Sequence, residues 1–180
     1  RADPLVPATT KPVDFGPSVK LANLKGVIID NNVQKLFISH NDTISMLTND
    51  ASTSFTRLLH PLGKPTKVVF DYANNYMYTL DADPIIPGAY LVRQSINNPA
   101  SNVFILNTGN YSFFNPQDMT INLVDQILWI ADTYNDAIVK VPLANPIQAR
   151  RLNIGTQLIY TPMGIAWHQA KGKIYLSNTS

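Results

Sequence analysis

An all-β protein assembled from repeated four-stranded antiparallel sheets is what this sequence predicts. Three observations carry the prediction: a strand-and-turn composition, an apolar motif that recurs four times, and two side-chain types that follow each copy at fixed offsets. The chain contains no glutamate, so every acidic residue is an Asp, while Asn, Pro, Thr, Tyr, Val and Ile are plentiful. β-Branched and aromatic side chains suit a pleated surface, and Asn, Asp and Pro suit turns.

The recurring motif is a short apolar strand closed by a polar residue. It reads Val27-Ile28-Ile29-Asp30, Val68-Val69-Phe70-Asp71, Met119-Thr120-Ile121-Asn122 and Ile165-Ala166-Trp167-His168. Seven residues beyond each terminal polar residue stands an aromatic: Phe37, Tyr78, Trp129 and Tyr175. Ten residues beyond it stands a polar one: His40, Asp81, Asp132 and Asn178. The copies are 41, 51 and 46 residues apart. That period suits the four-stranded blade of a β-propeller, whereas a solenoid of helix pairs would show 3.6-residue periodicity that these segments lack.

Taken in order, residues 1–14 hold Pro4, Pro7 and Pro12 and read as an extended lead-in, because proline interrupts both helices and sheet ladders. Residues 15–24 resemble the segments preceding the other copies and read as the outermost strand of an earlier blade. Blades are expected over about 25–62, 63–113 and 114–160, with a partial blade over 161–180. In the third, Asp118 to Asn122 is the first strand, Leu123 to Gln126 the turn and Ile127 to Ala131 the second strand. The loop Asp132 to Asp136, a third strand over Ala137 to Val141 and a fourth around Ala149 to Ile154 follow. Near-continuous apolar runs in the first two strands indicate a sheet covered on both faces, with the aromatic as a wedge between neighbouring blades. Closing a ring protects strand edges. About half of a six-bladed ring is therefore expected, completed by a longer parent chain, a cleaved partner or an oligomeric mate; a four-bladed ring lacking one strand is the alternative.

Pro116-Gln117-Asp118-Met119-Thr120-Ile121-Asn122, followed by Ile127-Leu128-Trp129-Ile130-Ala131-Asp132-Thr133-Tyr134-Asn135, resembles the NHL repeat. Pro162-Met163-Gly164-Ile165-Ala166-Trp167-His168 with Ile174-Tyr175-Leu176-Ser177-Asn178-Thr179 matches the same pattern a second time. The two earlier copies keep the strand pattern and the aromatic but not the Ala-Asp-Thr. The resemblance spans about residues 21–180, and it implies a six-bladed propeller fold more sharply than any one activity.

In such a propeller, His40, Asp81, Asp132 and Asn178 are expected to gather at one rim of the channel. Two Asp, an Asn and a His there could bind a hard cation through oxygen ligands or supply a general base. A channel calcium or zinc ion is the one cofactor this set could hold, and none is predicted outright. The competing structural reading is that Asp and Asn at a loop start accept hydrogen bonds from their own following backbone amides. Asp132 to Asp136 lacks the glycine and terminal glutamate of an EF-hand loop. Asp30, Asp71, Asn122 and His168 lie at the opposite rim, where they begin tight turns. Asp81-Ala82-Asp83-Pro84-Ile85-Ile86-Pro87-Gly88 is the longest irregular loop, and His60 falls between blades.

The net charge of +2 is small and the basic residues are scattered, so the concentrated stripe that nucleic-acid binding needs is missing. Without cysteine there is neither a disulfide framework nor a thiolate zinc site. No run approaches the roughly 18 apolar residues of a membrane span. Sequons at Asn41, Asn110 and Asn178 point to an extracellular or secretory-lumen glycoprotein. Two functions are weighed. One is a non-enzymatic binding or structural scaffold that contacts protein or glycan through loops and faces. The other, implied by the resemblance, is a propeller hydrolase or lyase similar to lactonases, strictosidine-synthase-like proteins or peptide-amidating lyases, with a metal site completed by further blades. Those lactonases and synthases use a Glu that this chain does not contain.

Overall fold

The structure is a computed structural model that describes residues 24–30, 35–40, 43–48, 55–59, 65–81, 90–97, 103–106, 108–153 and 159–179. These form four antiparallel sheets. Sheet 1 contains β1 (Leu24–Asp30), β2 (Lys35–His40), β3 (Thr43–Thr48) and β4 (Phe55–Leu59). Sheet 2 contains β5 (Pro65–Asp71), β6 (Tyr76–Asp81), β7 (Tyr90–Ser95) and β8 (Val103–Ile105). Sheet 3 contains β9 (Pro116–Asn122), β10 (Ile127–Asp132), β11 (Ala137–Pro142) and β12 (Arg150–Arg151). Sheet 4 contains β13 (Pro162–His168) and β14 (Lys173–Asn178). Within each sheet the strands pair in chain order. The first strands stand side by side, β1 against β5, β5 against β9 and β9 against β13. Four-stranded meanders joined through their first strands make this an all-β propeller array. The lead-in 1–14, most of the strand expected over 15–24, Asn41, His60, the loop 82–89 and the side chain of Asp30 lie outside the described residues.

The repeat continues into backbone detail. In all four sheets the pairing of first and second strands shifts at the same place, so that Lys25, Thr66, Gln117 and Met163 are extra residues in a β-bulge. Asn75, Gln126 and Gly172, four residues beyond their motifs, all adopt positive φ (57°, 53° and 59°). Asp71 starts its turn by accepting from the Asn74 backbone N–H at 3.3 Å. Asn122 accepts from the amides of Val124 and Asp125 at 3.1 and 3.2 Å. These bonds satisfy the amides that a tight turn removes from the ladder.

Some boundaries differ from expectation. The first strand of sheet 3 begins at Pro116, two residues before Asp118, because pairing resumes beyond the bulge with Pro116 opposite Asp132. Asp132 is accordingly the last residue of a strand and not the first of a loop. Leu24 belongs to β1, where it pairs with His40. The fourth strand of sheet 3 is only Arg150–Arg151, preceded by a 3-10 turn over Pro146–Gln148.

Three apolar clusters fill three seams. Phe37 of sheet 1 packs with Val68 and Phe70 of sheet 2, its ring centroid 4.4 Å from that of Phe70. Tyr78 of sheet 2 packs with Met119 and Leu128 of sheet 3. Trp129 of sheet 3 packs with Ile165 of sheet 4. Equivalent aromatics therefore occupy equivalent places, each buried on the first strand of the next sheet. Tyr175 departs from the wedge role, for it stays 47% exposed. Among the described residues no sheet follows sheet 4 to cover it.

Candidate functional site

The offset-ten residues end the second strands of successive sheets. His40 is buried, with Nε2 2.7 Å from the Ser45 hydroxyl. Asp81 is buried opposite Tyr90, and Asn178 is exposed. Among the described residues no group of three or more His, Cys, Asp or Glu side chains is close enough to share a metal ion.

Asp132 is the best defined of the four. Its side chain is fully buried, and both carboxylate oxygens are engaged. The Phe114 amide donates to Oδ1 at 2.8 Å, while Tyr111 Oη and Asn135 Nδ2 donate to Oδ2 at 2.8 and 2.7 Å. Asn135 Nδ2 also donates to the Ser112 carbonyl at 2.9 Å, and the Tyr134 amide to the Phe114 carbonyl at 3.1 Å. Asp132 thus fastens the segment entering sheet 3 to the loop leaving its second strand. Its donors come from that entering segment and from the Asn135 side chain, and not from the following amides that loop chemistry alone predicts. Residues 133–135 form a 3-10 turn, and Asp132 stands at its N-cap without accepting from its amides.

Burial holds the Asp132 carboxyl above its ordinary value, against three hydrogen bonds that favour the ionised form. Burial and the neighbouring carboxylate push the Tyr111 hydroxyl well up. In the seam behind, burial followed by Asp71 pushes Tyr78 up to about 12. Both phenols are therefore neutral at neutral pH, and Tyr111 donates its proton to Asp132.

A second polar junction was not among the residues the repeat pattern singled out. Asp118 Oδ1 pairs with Lys67 Nζ of sheet 2 at 2.8 Å and accepts from the Met119 amide at 2.9 Å, while Oδ2 accepts from the Ile165 amide of sheet 4 at 2.9 Å. One carboxylate so joins three sheets along their first strands. The signal was present in the alignment, since the four equivalent positions are Gly26, Lys67, Asp118 and Gly164. Two opposite charges replace glycine in adjacent copies only.

Beside the Asp132 network the surface is aromatic. Thr133 Oγ1 donates to the Pro162 carbonyl at 2.7 Å, and the Thr161 amide donates to Asp136 Oδ1 at 2.7 Å, which locks the 132–136 loop to the segment entering sheet 4. These two bonded segments present Tyr134, Tyr160 and Met163 to solvent. Tyr134 is steadied by Phe114, edge to face at 5.0 Å between ring centroids. Large apolar and aromatic side chains are therefore exposed on both bonded segments, beside a carboxylate whose two oxygens are already engaged.

No family model and no curated protein sequence matches the chain. Among solved structures, one described as a nidogen/laminin complex superposes with a TM-score of 0.72 and 18% identity, over 88% of this chain and 56% of that one. An auxiliary nutrient binding protein from Bacteroides thetaiotaomicron superposes with a TM-score of 0.64 and 10% identity, over 87% of this chain and 45% of that one. The chain thus spans about half the length of each. At these identities the likeness is one of fold, and the fold is a β-propeller. Among the described residues no helix is long and apolar enough to cross a membrane.

Proposed function

We propose that this chain is a non-enzymatic binding and scaffold module of an extracellular protein, whose repeats are of the NHL kind and whose partner is a protein engaged at the Tyr134 rim. The observation that carries the reading is the consumption of the rim's best defined carboxylate by structure. Asp132 has both oxygens bonded within the fold, and exposed aromatic and thioether side chains stand next to it. Rigid, exposed Tyr side chains offer contact area at small entropic cost. Support of a coarser kind comes from the two solved structures of similar fold, one a nidogen/laminin complex and the other a nutrient binding protein.

The test is a binding screen of the full chain against purified extracellular proteins and glycans, with Tyr134→Ala alongside. At least one protein should be retained, and Tyr134→Ala should weaken it by about tenfold or more while leaving the circular dichroism of the folded chain unchanged at the temperature of the assay. A variant that binds as tightly as the parent would reject the rim as the contact surface.

Secretion predicts a modification as well. Asn110 lies on an exposed turn whose hydrogen bond runs from the Tyr111 amide to the Thr108 carbonyl at 3.2 Å, and Ser112 of its sequon is exposed too. Asn178 instead closes β14, paired with Pro162. Expression through a secretory pathway should add a glycan at Asn110 that Asn110→Gln removes. Intact-mass spectrometry showing an unmodified chain would count against secretion.

A further inference from the structure

Arg150 and Arg151 are the only adjacent pair of Lys or Arg residues in the chain, and the fold places them on an outer edge. They make up the whole of β12, and both are exposed. Among the described residues no strand pairs with β12 on the side away from β11. Residues 144–153, which carry the pair, are exposed or half-buried throughout.

Backbone register decides which groups that edge offers. Arg151 stands opposite Val139 and Arg150 opposite Lys140, and the Leu152 N–H donates to the Ile138 carbonyl at 2.7 Å. Bonded and non-bonded pairs alternate along an antiparallel ladder, so Arg151 belongs to a non-bonded pair and its own N–H and C=O point away from β11. The Ala149 backbone just before the pair is extended, at φ −55° and ψ 133°. Charged side chains on an edge can serve simply to keep other strands from pairing. This edge adds an extended approach, two guanidinium groups and an outward carbonyl. By those features a serine endoprotease selective for paired basic residues takes its substrate as an added strand.

We propose that the peptide bond between Arg151 and Leu152 is a processing site, cut in the folded chain by a protease of this class. Water adds across the bond, its hydroxyl going to the Arg151 carbonyl carbon and its hydrogen to the Leu152 nitrogen, which leaves a carboxyl and an amino terminus. Entry disturbs little structure. The short ladder to β11 and the exposed bond from Arg151 Nη2 to the Asp136 carbonyl, at 2.7 Å, must open. The part beyond the cut stays seated, because Leu152 packs on the Trp129 cluster, Thr133 Oγ1 and Asp136 Oδ1 hold the segment entering sheet 4, and Asp118 Oδ2 holds the Ile165 amide. The product is a two-chain array nicked between sheets 3 and 4. Where the protease is met rests on the secreted reading above, but cleavage itself needs no partner at the Tyr134 rim.

The test is digestion of the folded full chain by a purified endoprotease that cuts after paired basic residues, read by intact-mass spectrometry. One cut, after Arg151, is expected, and the two pieces should co-elute in native size exclusion and separate in urea. Arg151→Gln should slow cleavage by about a hundredfold, since the protease's buried carboxylate then loses its partner. Arg151→Lys keeps the paired charge and should be cut like the parent. Both variants should keep the parental circular dichroism, which separates a lost recognition site from lost folding. A folded parent that resists while the urea-unfolded chain is cut, a first cut elsewhere, pieces that separate without denaturant, or an Arg151→Gln chain cut at the parental rate would overturn the proposal. The digestion contains no binding partner, so its failure is distinct from a failure of the Tyr134→Ala test.

Discussion

Trp129→Ala is expected to be the most damaging single change among the described residues, lowering stability by about 3–5 kcal/mol. Trp129 is 92% buried at the seam between sheets 3 and 4, against Ala131, Ile138, Ile159 and Ile165. Truncation loses the transfer free energy of the indole and leaves a void walled by two separate sheets. Neither sheet can collapse into that void without disturbing the Asp118 and Thr133 bonds that cross the same seam. Trp129→Phe should recover much of the loss because it keeps an aromatic wedge. Urea titration of the full chain measures both, and a loss under about 1 kcal/mol for Trp129→Ala would mean that the seam is not packed as described.

Asp132→Ala is the second large effect, expected to cost about 3 kcal/mol, because the Tyr111 hydroxyl, the Phe114 amide and the Asn135 amide group would lose an acceptor inside the fold. Asp132→Asn should cost less, since the side-chain oxygen still accepts. The two forms also separate by pH. The carboxyl of Asp132 is raised in the folded state above its ordinary value of 3.8. The folded state therefore binds more protons than the unfolded one between those two values, and stability from this group, full below 3.8, falls as pH rises through the raised value. Asp132→Asn has no such group, so the parent's stability relative to this variant should decline with rising pH across that window. An unchanged difference between parent and variant would show that Asp132 is not held in a desolvated site.

Much of this architecture was legible because a repeat states the same physical requirement several times. Phe37, Tyr78 and Trp129 could be matched by offset alone, since each fills an equivalent gap between sheets. Asp71 and Asn122 could be read as turn residues because the donors they satisfy lie within three positions along the chain. The Asp132 network was only half visible. Its loop partner Asn135 is local, but Tyr111 and Phe114 reach it from the entering segment, about twenty residues away, and no pattern within the copy announces them. Asp118 escaped for the opposite reason. Its partners Lys67 and Ile165 belong to two other copies, and an ion pair between repeats has no counterpart in either.

What the sequence by itself determined was the repeating unit: strand order, turn positions and the aromatic that each blade offers to the next, all of which follow from local preference and periodic burial. What only the tertiary structure decided was which polar groups are spent on holding sheets together and which side chains remain exposed. Those outcomes depend on neighbours brought close by packing, where burial removes water and leaves each buried donor or carboxylate to find its partner in another sheet.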